Sequence, residues 1–502
     1  MKKLIHGFFT KRPKLFVFIV PILLFVIGCN SPEQSPVRVL VELNTGESQD
    51  VILSNGDVVK LKLLEITVEE DSCRGAVRGG HIKITVDGEE AIINTGNNTL
   101  PVTIGKVQID CPVIKAYYAT TNQDTWGLGK DAFFRLWPIG SSYLQAGTFV
   151  YPLKQEWLTS CSQVGNEPTY VDWGEPLKVP VYYHNGFDFG AAERMDEIFS
   201  ATDGLVISSN KKAMDGYTDF PGDLRPDVVY ILDSKGWFYR YSHFDSVLPV
   251  IKPGEYVKAG QQIGLAGKQG QSGGWVHLHF DISHKDTLSG KWINEDSYAY
   301  VWEAYNRQYK PSLIAVARPH HITWTGNPIK LDGSKSKSMT GEIVSHEWTF
   351  SDGTMGNGAV QEKVYEKPGE YSEILKVTDS KGNIDYDFAV VQVYGKDSTE
   401  RSIPTIHATC YPTMDIKPGD PVVFLVRTFN STAGNEVWNY GDGSPHDTVQ
   451  SETVDYKNPV KGEYAKTMHS FSKSGQYIVS VQRTNEKGYT ATARLHVLVR
   501  EK

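Results

Sequence analysis

The densest chemistry in the chain lies in Val276-His277-Leu278-His279-Phe280-Asp281-Ile282, where polar and apolar residues alternate without a break. A strand sends His277, His279 and Asp281 to one face and the four apolar residues to the other. Neighbours on that face stand roughly 6.6 Å apart, close enough for one imidazole to hold a metal while the next reaches a reacting group beside it. Solvent-facing histidines are common on strands, so the pair alone decides nothing. A second element, His184-Asn185-Gly186-Phe187-Asp188-Phe189-Gly190, places a histidine and a carboxylate four residues apart. That spacing suits a helix, but Gly186 and Gly190 argue against one. Fully extended, the pair would stand roughly 13 Å apart, so Gly186 is expected to supply a bend that converges the two side chains. The third element, Tyr241-Ser242-His243-Phe244, directly follows the alternating Gly236-Trp237-Phe238-Tyr239-Arg240.

Positioning such groups requires strands, and the chain is built for them. Its 502 residues imply three or four domains. Aromatics at 11% favour β-rich domains over helical bundles. From Val37 to about Lys178 the chain reads as an accessory β domain. Val58-Val59-Lys60-Leu61-Lys62-Leu63 and His81-Ile82-Lys83-Ile84-Thr85-Val86 alternate there, with Asn55-Gly56 and Asp87-Gly88 as turns. His81 is expected on a solvent face. The histidine elements fall in a region spanning 179–312, which closes with a helical run, Glu295 to Gln308. Its Tyr298, Val301, Trp302 and Tyr305 form a core-facing stripe.

Residues 313–396 and 402–500 then repeat one pattern. Trp348 precedes Asp352-Gly353 as Trp438 precedes Asp442-Gly443; Gly369 and Gly382 are spaced as Gly475 and Gly488 are. Only the stretch between Gly353 and Gly369 differs from its counterpart, Gly443 to Gly475, which is 16 residues longer and reads as a hairpin insertion. These copies resemble polycystic kidney disease (PKD) domains. The resemblance implies β-sandwiches with a buried Trp and an Asp-Gly turn, and contacts with glycan or protein as their role. They hold none of the five histidine-region residues, so they are expected to fold separately and to be dispensable for chemistry.

The three histidine elements, taken in order and joined by a Gly-rich approach from Gly254 to Gly274, resemble the lysostaphin-like (LytM-type, glycyl-glycine endopeptidase) zinc metallopeptidases. The fold expected overall is an all-β dominated multidomain chain: an N-terminal β domain, an antiparallel β-sheet peptidase domain and two β-sandwiches. The resemblance implies that His184, Asp188 and His279 ligate Zn2+, and that His243 and His277 are the catalytic histidines. It further implies that His277 acts as base while His243 orients or stabilises the tetrahedral intermediate. Two His and one carboxylate leave a fourth tetrahedral position open, as a catalytic zinc requires. Trp275-Val276 stands where the family more usually has Gly-Pro, and Asp281 where Glu is common.

Residues 1–28 hold Lys2, Lys3, Lys11, Arg12 and Lys14, no acid, and an apolar run from Leu15 to Gly28. This reads as a signal peptide. Val26-Ile27-Gly28-Cys29 resembles the bacterial lipobox, which implies lipidation of Cys29, a tether over 29–36, and an exported, membrane-anchored lipoprotein facing the periplasm or the cell surface. Removing five positive charges from a net −8 leaves −13. An acidic chain without a basic block is a poor candidate for nucleic-acid binding. Cys73, Cys111, Cys161 and Cys410 are read as structural; Cys73 and Cys111 could pair, but sequence does not establish connectivity. The function these features imply is a lipid-anchored zinc metalloendopeptidase cutting peptide cross-links of bacterial peptidoglycan. The alternatives are a non-catalytic cell-wall-binding or hydrolase-activating lipoprotein with a degenerate peptidase domain, and an adhesin whose PKD pair binds glycan.

Overall fold

The computed structural model describes residues 37–123, 125–169, 180–219, 221–285, 290–396 and 402–501. The signal segment, Cys29 and the tether lie outside the described residues. Among the described residues no helix is long and apolar enough to cross a membrane. Among the described residues the regular structure is nearly all β-strand, mostly in antiparallel sheets, in keeping with the aromatic and alternating patterns.

In the N-terminal region the strands Ser48–Ile52, Val58–Glu70, Val77–Val86 and Glu89–Gly96 form a meander. A second four-stranded sheet runs in the order Val39–Leu43, Ala132–Pro138, Val107–Ile114, Val102–Ile104. The alternation does what period-2 patterning predicts: Val59, Leu61, Leu63, Ile82 and Ile84 are buried while Val58 and Lys60 are exposed. His81 lies on the solvent face, bonded to Asn94 (2.8 Å). Cys111 remains a thiol, donating to the Val113 carbonyl (3.6 Å), so the Cys73–Cys111 pairing is not formed.

The region does not end as a unit near 178. Leu144, Phe149, Tyr151, Leu153, Leu158 and Val164 join the core of the histidine domain, and Ser162–Gln163 pairs with Phe187–Gly190 at the edge of its main sheet. Residues 139–161 lack strand alternation, so their affiliation is decided by where their aromatics are buried. The boundary expected at 178 lies itself outside the described residues.

The main sheet of the histidine domain runs in the order Lys212–Ala213, Gly204–Ser209, Val228–Leu232, Phe238–Ser242, His277–Lys285, Phe187–Gly190, Ser162–Gln163. A smaller sheet, Glu197–Phe199, Gln262–Ala266 and Phe244–Val247, packs beside it. Leu278, Phe280 and Ile282 face a core shared with Phe187, Phe189, Tyr239 and Tyr241. The expected helix starts later than its pattern suggested, at Tyr298–Tyr309. Glu295 ends a strand (Trp292–Glu295), and the Asp296 carboxylate accepts the Tyr298 N–H (2.9 Å). Tyr298, Val301 and Tyr305 are buried, while Trp302 is half-buried.

Both C-terminal copies are sandwiches with matching details. Trp348 and Trp438 are fully buried in separate cores. In each Asp-Gly turn the aspartate takes the same local bonds: Asp352 Oδ1 accepts Thr354 N–H (3.0 Å) and Oγ1–H (2.6 Å), and Asp442 Oδ1 accepts Ser444 N–H (3.0 Å) and Oγ–H (2.6 Å). Two expectations fail. The long stretch of the second copy is no hairpin: residues 450–464 run irregularly between Asp447–Val449 and Ala465–His469. Nor are the copies separate, because Gly369–Asp379 pairs with Thr490–Val499 and makes one continuous sheet across both. The second copy also contributes Leu425 and Tyr464 to the core of the histidine domain.

Candidate metal centre

The five histidine-region residues come together at one end of the main sheet. His184 follows Tyr182–Tyr183, and Gly186 then turns the chain with φ +116°. A Cβ at Gly186 would stand 2.8 Å from the Phe280 carbonyl oxygen and 2.9 Å from Asp281 Cβ, so the expected bend needs glycine for conformation and for space. After it, Asp188 on Phe187–Gly190 lies directly opposite His279 on the neighbouring strand. His243 sits between Phe238–Ser242 in the main sheet and Phe244–Val247 in the smaller one, at φ +70°. That left-handed conformation is uncommon for a residue with a side chain. It lets the chain change sheets and aim the imidazole at the His277–His279 face.

His184 Nε2, Asp188 Oδ1 and His279 Nδ1 form a triangle with edges of 3.2, 2.8 and 3.1 Å. All three side chains are buried. Their outer atoms are held: His184 Nδ1 donates to the Val164 carbonyl (3.2 Å), and His279 Nε2 to Asp281 Oδ2 (3.2 Å). Asp281 is steadied in turn by Arg240 Nη1 (3.3 Å) and the Ser283 hydroxyl (3.2 Å). These outer bonds leave His184 Nε2 and His279 Nδ1 as lone pairs facing a carboxylate oxygen. An extra proton on His279 Nδ1 would serve Asp188 but leave His184 Nε2 unserved; a metal ion serves all three. Tetrahedral ligands about 2.1 Å from an ion lie about 3.4 Å apart, close to the observed edges. The donor set therefore fits zinc, and the outer-atom bonding is the arrangement that orients metal-ligating imidazoles.

The other two histidines flank this triangle without joining it. His277 Nε2 lies 3.4 Å from Asp188 Oδ2, and its Nδ1 donates to the Trp275 carbonyl (3.2 Å). His243 Nδ1 donates to the Gln269 carbonyl (2.7 Å), and the His243 and His277 rings are 4.6 Å apart. Each thus presents Nε2 as a free acceptor. Burial pushes both imidazoles down, His277 far below the ordinary histidine value, so both stay neutral near pH 7. Burial alone would raise Asp188, but the imidazoles of His184, His277 and His279 outweigh it and hold the carboxyl well below the usual range.

Sequence reading missed Asp227. Its Oδ2 accepts the His243 N–H (3.3 Å) and lies 3.6 Å from His243 Nδ1, while Arg225 pairs with it at 2.7 Å. No spacing signals it, since it precedes Val228–Leu232 on a different strand from its partner.

With this geometry in view, the sequence of residues 182–293 matches the profile of Peptidase family M23, and residues 311–393 match that of the PKD domain. Residues 182–293 are an M23 peptidase domain. Peptidoglycan DD-endopeptidase ShyB of Vibrio cholerae is 35% identical over 107 residues, 21% of this chain and 22% of its own. Collagenase ColA of Clostridium perfringens is 42% identical over 118 residues, 22% of this chain and 10% of its own. The chain thus spans under a quarter of the length of either relative. The catalytic domain of the prophage-encoded M23 protein EnpA from Enterococcus faecalis, solved as a point mutant, aligns with 31% of this chain and 93% of its own, at 21% identity and a TM-score of 0.19. The M23 domain holds all five histidine-region residues and Asp227 within its matched span.

Proposed function

We propose that the chain is a lipid-anchored, zinc-dependent endopeptidase that hydrolyses peptide cross-links of bacterial peptidoglycan. The observation that carries the reading is the triangle of His184, Asp188 and His279, three inward lone pairs with outer atoms already committed, flanked by two neutral imidazoles. The similarity to DD-endopeptidases from Vibrio cholerae supports the substrate class. A zinc ion bound there would polarise the scissile carbonyl and make a water acidic enough to attack near neutral pH.

The chain's own residues supply the rest. His277 Nε2, a neutral acceptor, takes the proton of the attacking water and returns it to the leaving amine. His243, neutral with its Nδ1 proton on the Gln269 carbonyl and Asp227 beside it, accepts a hydrogen bond at Nε2 from that water and orients it for attack. Asp281 and the Val164 carbonyl keep the ligand imidazoles in the tautomers that binding needs.

The deciding experiment measures the metal content of the purified protein together with release of amines from peptidoglycan peptides. One zinc per chain, with cleavage abolished by chelation and restored by zinc, is the expected outcome. A zinc-loaded protein that releases no amine would overturn the reading in favour of a non-catalytic wall-binding or hydrolase-activating role. The anchor has its own test: Cys29→Ala is expected to abolish lipid labelling and release the protein from membranes. Unchanged membrane retention and mobility would rule the lipobox out.

A further inference from the structure

The long irregular stretch of the second sandwich lies against the approach to the histidine strand. Gly274 has φ +88°, and a Cβ there would stand 2.4 Å from the Pro459 carbonyl oxygen, so the two backbones are in direct contact. Arg427, buried on the strand Val422–Phe429, donates from Nη1 to the Gly274 carbonyl (2.6 Å) and the Pro459 carbonyl (2.9 Å), and from Nη2 to the Lys461 carbonyl. Two residues on, the Val276 N–H donates to Tyr464 Oη (3.0 Å).

From Tyr464 the bonding continues in one direction. A backbone N–H only donates and a carbonyl only accepts, and these two ends fix every proton between them. Tyr464 Oη–H donates to His407 Nδ1 (2.8 Å), His407 Nε2–H to Ser160 Oγ (3.0 Å), and Ser160 Oγ–H to the Ala408 carbonyl (2.8 Å). The chain of bonds is fully satisfied with His407 neutral, and burial pushes that imidazole down to about 3. Between the two anchored residues stands Trp275. Its indole stacks on the His277 ring (3.8 Å between centroids, 18° between planes) and meets His407 edge-on (5.2 Å). Its carbonyl takes the His277 Nδ1 proton (3.2 Å).

We infer that the second sandwich is part of the catalytic apparatus: Arg427, Tyr464 and His407 are positioning residues that hold Gly274 and Val276, and through Trp275 set the ring plane and tautomer of His277. This rests on the proposed role of His277 as proton acceptor. Displacement of a reacting group by about 1 Å costs on the order of 100-fold in rate, and none of these hydrogen bonds of Arg427, Tyr464 or His407 goes to His184, Asp188 or His279. The signature is therefore a loss in kcat at unchanged zinc.

The test uses the full chain bearing Tyr464→Phe, which deletes only the hydroxyl, and Arg427→Lys, which keeps charge but loses the fork. Zinc stoichiometry, kcat and KM on a soluble cross-linked wall peptide, and amide exchange of residues 268–280 are measured. Tyr464→Phe is expected to keep zinc and KM within about twofold, lose about 10- to 100-fold in kcat, and speed exchange across 268–280. His407→Asn, which keeps an acceptor near the Nδ1 position, should retain most of the rate, whereas His407→Leu should not. Parental kcat and exchange in Tyr464→Phe would overturn the inference, as would kcat losses that merely track loss of zinc or of thermal stability in both variants. If the parent cleaves nothing, the proposed activity fails instead. The exchange measurement then still decides whether the sandwich holds this segment.

Discussion

At the scale of single residues, two histidines on one strand face have different surroundings. His279 Nδ1 belongs to the metal triangle; His277 Nε2 stands beside it, 3.4 Å from Asp188 Oδ2. His279→Ala removes one of the three proposed ligands, so zinc and activity are expected to disappear together. His277→Ala leaves the three proposed ligands and deletes the proposed proton acceptor, so zinc should stay near one per chain while the rate falls about 10²- to 10⁴-fold. Metal analysis and cleavage rates on both folded variants check this. Loss of zinc in His277→Ala with retention in His279→Ala would invert the assignment.

At the scale of elements, the site depends on one bend and one change of sheet. Gly186 brings His184 back over Asp188, and the left-handed His243 joins two sheets. Gly186→Ala places a methyl group within 3 Å of Phe280 O and Asp281 Cβ in a conformation alanine resists. It is expected to lower stability by about 1–3 kcal/mol and to weaken zinc binding, because His184 is displaced from the triangle. Denaturant midpoints with and without zinc, compared with the parent, read both effects. An alanine variant with parental stability and zinc affinity would show the bend to be dispensable.

At the scale of the whole molecule, the sandwiches are not passive appendages. Deleting 402–502 strips Leu425 and Tyr464 from the core around the site and uncovers the Gly369-Glu370 end of the strand Gly369–Asp379. Cleavage of small soluble peptides is expected to fall severely, contrary to the dispensability that motif placement alone suggests; a folded truncation with parental rates would restore that view. The junction between the copies also carries a buried carboxyl. Glu370 accepts the Ile406 N–H (2.8 Å) and Gln392 Nε2–H (2.9 Å), and burial pushes it up from an ordinary 4.5 to about 7. A raised carboxyl is protonated in the folded state and ionised in the unfolded state between those two values, so stability falls as pH rises through that window, by at most about 3 kcal/mol. Asp196 is raised by burial to about 7 as well, so the quantity to read is the difference between parent and Glu370→Gln. That variant is expected to show a smaller loss of denaturant midpoint from pH 5 to pH 8 than the parent does. Equal losses would remove Glu370 from the account.

The alternating segments 58–63, 81–86 and 276–282 are legible in the sequence because period-2 alternation is a local property, dictated by which face of each strand must be buried. The same locality exposes the Gly186 bend and the two Trp…Asp-Gly turns, and the order of the histidine elements carries the resemblance to the lysostaphin-like metallopeptidases. Other features were decided only in three dimensions. Asp227 meets His243 across strands, Val164 meets His184 by a backbone carbonyl, and residues 139–169 belong to the site's core through scattered aromatics without period. Tyr464 and Arg427 reach Val276 and Gly274, just ahead of the strand His277–Lys285, from more than 150 residues away in sequence. Local pattern carries no record of such contacts, because they depend on how finished sheets pack against one another.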